Sequence, residues 1–548
     1  MEIKLLSASY LLQQHGWVLL IPLSVTSSSL LLTFPGWAQT NTSLQAEESL
    51  VSSQELTELD TSSLMAAQDQ EEHLEATPHS AISLKNNDLT VPSSNGEVIS
   101  DIQVRFVNGD GEPIEGNTKD EIITREFDLH SGDVYDSDLA LEGLERVDEM
   151  FIIKQASLTL EPAADDQVVM VVTVDERDSF FFSFGNTLPR PTALQGPSRP
   201  AVVNASSNSA RGFSAGARLG FTNIGGNNQA LTLGVEGGEN TLGVDVDFRQ
   251  FLKNGSGYGI NFANQRGVEP EFTGGDREVE TPSGDEPWVH RLGGGVEYFR
   301  PLASDFDAAL GISYQRISVR EDAFSDDIAS EDELGNDLTV SDDGQDDLLT
   351  VNFSGVIDRR NSSKNPTKGS RLLVGADQSI PIGDADILFT RLSANYTQFL
   401  PLNLFGFTEG PRTLVLNVQG GTILGDTPPY DAFSLGGSSS VRGYSSGEIG
   451  TGESFVQATA EYRFPMFSFN AFDDDVDVGG TFFFDYASDL GSGDDVIGEP
   501  AEARDKPGDG FGYGLGIRAL TSIGAVRLEF GINDEGDSEV IFNIGDRF

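Results

Sequence analysis

Gly443-Tyr444-Ser445-Ser446-Gly447 has the G-x-S-x-G spacing of a nucleophile elbow, in which a sharp strand-to-helix turn exposes a serine hydroxyl for acyl transfer. That chemistry also needs a histidine base. No helix-patterned run follows Ser445, and only His130 and His290 lie in segments patterned as ordered structure, both remote from it. The chain has no cysteine, which removes thiolate nucleophiles, disulfides and Cys-ligated metals, and five histidines leave little for imidazole chemistry. The residues therefore point to a protein that is not an enzyme, with no cofactor and no resident metal. Against 34 Lys+Arg stand 87 Asp+Glu, a net charge of −53, so a phosphate backbone is repelled and nucleic acid is not a partner.

At 548 residues the chain exceeds the ~250–300 at which single cores stop growing, so several domains or one very large sheet must carry these residues. Residues 1–38 read as a signal peptide: Lys4, apolar runs Trp17–Val25 and Leu30–Phe34, and small residues Gly36 and Ala38 before a polar switch. Pro22, Pro35 and Ser27–Ser29 interrupt the run, and no other segment is long enough for a spanning helix. A membrane protein with this sequence must cross as a closed barrel. Residues 39–97, rich in Ser, Thr, Gln, Glu and Asp, bury too little apolar area to order and read as a disordered acidic linker.

Residues 98–177 carry the pattern β-α-α-β-β: a strand at Val98–Val107, helix-spaced residues in Thr118–Leu129 and Ser137–Met150, and strands at Phe151–Leu160 and Gln167–Val174. Asp136 or Ser137 is placed to cap the second helix. Such a unit leaves a strand edge open to an extended peptide. Beyond Glu176 the helical period gives way to alternation, as in Leu242-Val244-Val246-Phe248 against Thr241, Asp245, Asp247 and Arg249. Sixteen such stretches fit within residues 178–548, from Phe180–Gly185 to Ser538–Phe548. An even number with long odd-to-even connections (Gly267–Trp288, Ser318–Asp347, Gly425–Glu453, Ser488–Gly510) is the pattern of an outer-membrane barrel with long outer loops and short inner turns. The acidic runs Glu321–Asp347 and Asp473–Asp477 read as solvated loops rather than cation sites.

Further residues carry a family resemblance. Leu435-Gly436-Gly437-Ser438-Ser439-Ser440 leads into Val441-Arg442-Gly443-Tyr444, followed by Gly452, Glu461, Arg463 and Pro465, then Phe482-Phe483-Phe484-Asp485. Upstream stand Asp358 and Asn365-Pro366-Thr367-Lys368-Gly369, and the chain closes on Phe542-Asn543-Ile544-Gly545-Asp546-Arg547-Phe548. With these motifs Val98–Phe548 resembles the bacterial surface antigen superfamily, the POTRA-plus-barrel outer-membrane proteins of the BamA and TamA type, and the wording of Val441–Pro465 is most similar to cyanobacterial and plastid members. Ala487 stands where many members have glycine.

The resemblance implies a mostly β protein: one βααββ POTRA domain in the periplasm, then a 16-stranded antiparallel transmembrane barrel in the outer membrane. It implies an inward-folded loop whose Arg442 meets Asp485 and Glu461, an inner-turn motif at Asp358, Asn365, Pro366 and Gly369, and a closing-strand signal in Phe542, Ile544, Gly545 and Phe548. Physically, a guanidinium inside a barrel needs planar anionic acceptors. Period two puts Glu461 on the polar face with Gln457, Thr459 and Arg463, while Gly443 permits close approach and Tyr444 packs on the wall. The implied function is insertion of unfolded outer-membrane or secreted polypeptides into the bilayer, with accessory assembly proteins, through a POTRA edge and a seam between the first and last strands. The alternatives are a two-partner-type polypeptide exporter and a passive pore.

Overall fold

The computed structural model describes residues 89–93, 96–164, 167–184, 214–363, 365–471, 474–521 and 524–548. The signal peptide read at 1–38 and nearly all of the acidic segment 39–97 lie outside the described residues. A small unit comes first: β1 (Val98–Val107), α1 (Asp120–Thr124), α2 (Ser137–Asp148), β2 (Ile153–Pro162) and β3 (Gln167–Glu176). Its sheet order is β1-β3-β2, with β1 parallel and β2 antiparallel to β3. One face is covered by the helices, burying Ile99, Phe127, Leu144, Val147, Met170 and Val172. Asp136 caps α2, accepting from Asp138 N at 2.9 Å and Leu139 N at 3.1 Å.

The first helix is far shorter than the pattern over Thr118–Leu129 suggests. The reason lies in what its downstream carboxylates do instead. Glu126 accepts from Asn254 N at 2.9 Å and Asp128 from Lys253 Nζ at 2.6 Å, so both hold a turn of the large sheet. At the other turn Asn223 Nδ2 donates to Thr118 Oγ1 at 2.7 Å, and Lys119 N donates to Gly226 O at 3.1 Å. The small unit is thereby clamped to the turns at 223–228 and 252–256.

The sixteen strands of the second sheet are β4 (Phe180–Phe184), β5 (Ser214–Thr222), β6 (Gln229–Gly238), β7 (Thr241–Phe251), β8 (Gly257–Val268), β9 (Trp288–Ala303), β10 (Phe306–Arg320) and β11 (Gln345–Asp358), continuing through β12 (Gly369–Ile380), β13 (Phe389–Pro401), β14 (Thr413–Gly425), β17 (Ser454–Ala471), β18 (Asp474–Ser488), β19 (Asp509–Thr521), β20 (Gly524–Asn533) and β21 (Ser538–Ile544). Two short strands, β15 (Phe433–Leu435) and β16 (Gly450–Gly452), form a hairpin inside the connection after β14. Sheet order follows chain order from β4 to β21, each neighbour antiparallel.

Two expectations need correction. Asp474–Asp477 is strand, not loop: β18 begins at Asp474, with Asp477 opposite Ser468, because the β17–β18 hairpin extends the ladder well past Phe464. The last strand stops at Ile544 instead of running to Phe548, since Gly545 adopts φ +115°, which breaks the extended period.

The sheet is apolar outside and polar inside. On β14, Val418 is 52% exposed while its neighbours Asn417 and Gln419 are buried; Leu515 and Phe484 are also about half exposed, whereas Arg249, Glu461 and Asp485 are at most 2% exposed. A water-soluble sandwich has the opposite sidedness. The sheet is also curled. Arg518 of β19 donates Nη1 to Asn365 Oδ1 at 3.1 Å, although β19 and β12 stand five places apart in sheet order. A flat sheet at ~4.8 Å per strand would separate those strands by roughly 24 Å.

Val418→Arg is expected to lower folding stability in bilayers by about 2–4 kcal/mol. Urea titration in liposomes measures this; a loss within about 0.5 kcal/mol, usual for a surface change, would mean that this face does not meet hydrocarbon.

Candidate functional site

The connection from 426 to 453 turns back into the curled sheet through the β15–β16 hairpin. Phe433, Leu435, Val441, Tyr444 and Ile449 pack against Val289, Ile317, Leu348, Phe389 and Ile423 of the surrounding strands, all buried. This apolar contact brings Arg442 down onto β17, β18 and β20. Gly443 allows the final approach: at φ +106°, a Cβ there would stand 2.8 Å from Asn533 N and Ile532 C. Tyr444 is buried and donates its hydroxyl to Asp534 Oδ1 at 2.7 Å.

Arg442 is fully buried. Its Nε and Nη2 donate to the two oxygens of Asp485 at 2.7 and 3.0 Å, a bidentate pair, and its backbone N donates to the same carboxylate at 3.2 Å. Nη1 donates to Glu461 Oε2 at 2.7 Å and to Glu529 Oε1 at 2.5 Å. The guanidinium carbon lies 3.5 Å from the centroid of the Phe483 ring. Every guanidinium nitrogen, four N–H directions in all, and one ring face are thus occupied, which a lysine could not reproduce.

Each of the three carboxylates has a second cation. Arg463 Nε donates to Glu461 at 2.8 Å, Arg527 Nη1 to Glu529 at 3.1 Å and Arg547 Nη1 to Asp485 at 3.2 Å. Asp546 joins through Arg518 at 2.6 Å and Arg463 at 3.5 Å. Four carboxylates (Glu461, Asp485, Glu529, Asp546) therefore meet five guanidiniums (Arg442, Arg463, Arg518, Arg527, Arg547), so the charges nearly cancel where water is largely excluded.

The inner-turn motif reaches the same network. Asn365 accepts from Arg518, Pro366 is buried, and Gly369 at φ +103° leaves room for the Arg359 carbonyl. Asp358 lies apart from Arg442 and pairs with Arg360 Nη2 at 2.7 Å. Of the closing-strand residues, Phe542 is 64% exposed on the outer wall and Ile544 pairs with Val526. Beyond Gly545 the chain turns inward. Arg547 Nη2 bonds Ser440 O, just before the loop tip, and the Phe548 ring lies 5.9 Å from the Arg463 guanidinium. Ser445 Oγ donates to Glu539 Oε1 at 2.9 Å, a structural contact for the elbow serine.

The sequence motifs leave out Glu529, Arg527 and Arg518 and place Asp546 and Arg547 only in the closing strand, not beside Arg442. The first three carried a usable signal: each is a charged residue inside an otherwise apolar or glycine-rich alternating strand, a position that only the lumen tolerates. Asp546 and Arg547 carried none, because the Gly545 turn that redirects them has no periodic signature.

Above the tip, loops at the end of the sheet away from the small unit close over the hairpin. Lys506 Nζ donates to Pro270 O, Glu271 O and Thr451 Oγ1 at 3.1, 3.2 and 2.9 Å, and Arg504 donates to Phe272 O and Val279 O at 2.9 and 3.0 Å. Burial, with Glu269 nearby, pushes the Glu271 carboxyl up to about 8, while burial holds Lys506 well below its ordinary range.

An Omp85 superfamily domain matches residues 223–548. Outer envelope protein 80 of Arabidopsis thaliana chloroplasts is 27% identical, with 82% of this chain and 57% of that protein covered. Protein TOC75 of Pisum sativum chloroplasts is 25% identical over 82% of this chain and 56% of its own length. The chain thus spans little more than half the length of these curated relatives. In fold, it is similar to BamA from Haemophilus ducreyi lacking POTRA domains 1–3, with TM-score 0.54 and 15% identity over 81% of this chain and 83% of that one. The chain belongs to the Omp85 superfamily, in agreement with the resemblance read from its motifs.

Arg442→Ala leaves three buried carboxylates short of a partner and is expected to cost about 3–5 kcal/mol. Heat resistance of the folded form on semi-native gels reports it; Arg442→Lys should fall between wild type and alanine, and an unshifted alanine variant would refute a buried ion pair. A second test uses pH. Glu271 holds its proton in the folded cap at pH values where the open form has lost it, so cap stability falls as pH rises from the ordinary carboxylate range through about 8. Lys506 contributes with the opposite sign. Glu271→Gln should therefore flatten the fall in melting temperature between pH 6 and pH 9, and parallel profiles would remove Glu271 from the account.

Proposed function

We propose that this Omp85 superfamily member is an outer-membrane assembly factor of the BamA and TamA type, inserting unfolded client polypeptides into the bilayer. In this reading a signal peptide ending near Ala38 directs export, residues 98–177 are a POTRA domain in the periplasm, and residues 178–548 span the membrane. Kinship with BamA and TOC75 supports membrane protein insertion or transport at the family level. The finer assignment rests on edges.

The observation that carries it is the condition of the sheet ends. Strand β4 has five described residues and β21 seven, and among the described residues no ladder joins them. Backbone donors and acceptors at such an edge can template an incoming strand. The small sheet offers a second edge: β1 is bridged by Val134 and Pro113, whereas among the described residues β2 has only β3 as a neighbour. A client would add first to β2 and then at the seam. Lipid burial and client folding supply the free energy, with no covalent step.

Depleting the protein while following other outer-membrane barrels tests the assignment. Their levels should fall and unfolded precursors should accumulate. Unchanged barrels with a loss of one secreted polypeptide would favour an exporter, and a large stable conductance in planar bilayers without either defect would favour a passive pore.

A further inference from the structure

The inner connections differ in where they go. Those at 223–228 and 252–256 hold the small unit, and that at 359–368 feeds the lumen network. The connection at 402–412 instead folds back along the outside of the wall. Tyr462 of β17 faces outward there, and its hydroxyl accepts from Leu404 N at 3.2 Å and Phe405 N at 3.1 Å while donating to Phe405 O at 2.8 Å. Phe407 N donates to Pro465 O at 3.0 Å. The Phe405 ring lies 5.1, 4.8 and 5.7 Å from those of Tyr462, Phe464 and Phe482, and Phe407 lies 5.9 Å from Phe464. The backbone is therefore pinned and partly satisfied, yet Leu404 and Phe407 remain 66% and 73% exposed.

We propose that this loop is a membrane-interface anchor, seated at the boundary between headgroups and acyl chains of the leaflet nearest the small unit. The proposal rests on the reading of the sheet as a lipid-facing barrel. Lipid is the occupant because the loop packs through Phe405 and Phe407 on Phe464 and Phe482 of the outward face, the same apolar face that exposes Val418. It also sits at the inner end of the strands, where aromatic side chains favour the bilayer interface. At its base Arg412 donates Nη2 to Thr408 O at 3.1 Å, placing a cation at the level of lipid phosphates.

The absence of cysteine makes the test direct. Leu404→Cys, Phe407→Cys and, as a mid-wall reference, Val418→Cys are spin-labelled in the otherwise unchanged chain and placed in vesicles of phosphatidylethanolamine and phosphatidylglycerol. Collision with oxygen is compared with collision with a water-soluble nickel chelate. The labels at 404 and 407 should favour oxygen over nickel, at shallower depth than that at 418. Nickel access at 404 and 407 typical of an aqueous loop, with 418 still protected, would overturn the anchor alone; protection from both reagents would overturn it too, since protein would then cover the loop. Aqueous access at 418 would overturn the lipid-facing reading itself.

Discussion

A guanidinium removed from water inside a protein is costly to the fold unless carboxylates pair with it and accept its hydrogen bonds. Arg442 meets that condition through Asp485, Glu461 and Glu529, which come from three different strands. Their registers are therefore tied to a single side chain. The loop supplying Arg442 must also enter far enough to reach them, which explains the apolar anchoring of Phe433, Leu435, Val441 and Tyr444 and the missing side chain at Gly443.

The same network extends to both ends of the functional surface. Arg547 shares Asp485 with Arg442 and bonds Ser440 O, so the end of the last strand and the tip of the loop hold one carboxylate in common. On the other side, Arg518 joins Asp546 to Asn365 and hence to the turn between β11 and β12. Moving the end of β21 away from the wall would leave buried charges on the loop and on β18 less satisfied. Loop position and strand-end position are in this sense one variable.

Sidedness sets what each surface can do. Polar groups face the curled interior and large apolar side chains face outward, so hydrocarbon is the solvent that suits the outer wall. Acidic character divides as well. In the loop at 321–344, Asp332 is buried in its own turn, and Asp346 just beyond it accepts the Tyr430 hydroxyl at 2.6 Å, so part of what reads as a solvated run locks the cap over the hairpin. At the end nearest the small unit, Glu126 and Asp128 hold that unit against one turn, and Thr118 and Lys119 hold it against another.

Local periodicity was enough to locate every strand of the large sheet, because alternation is a property of neighbouring residues and a lipid-facing wall demands it throughout. Val441–Tyr444 and Asp485 could be singled out only by likeness to a family, since nothing local links residues so far apart in the chain. What tertiary structure alone decided were the long-range partners: Glu529 and Arg547 around Arg442, the short first helix whose carboxylates are diverted to the large sheet, and the inward turn at Gly545. Each depends on groups brought together by curvature of the sheet, and curvature is set by the sum of many strand pairings, which no single stretch of residues encodes.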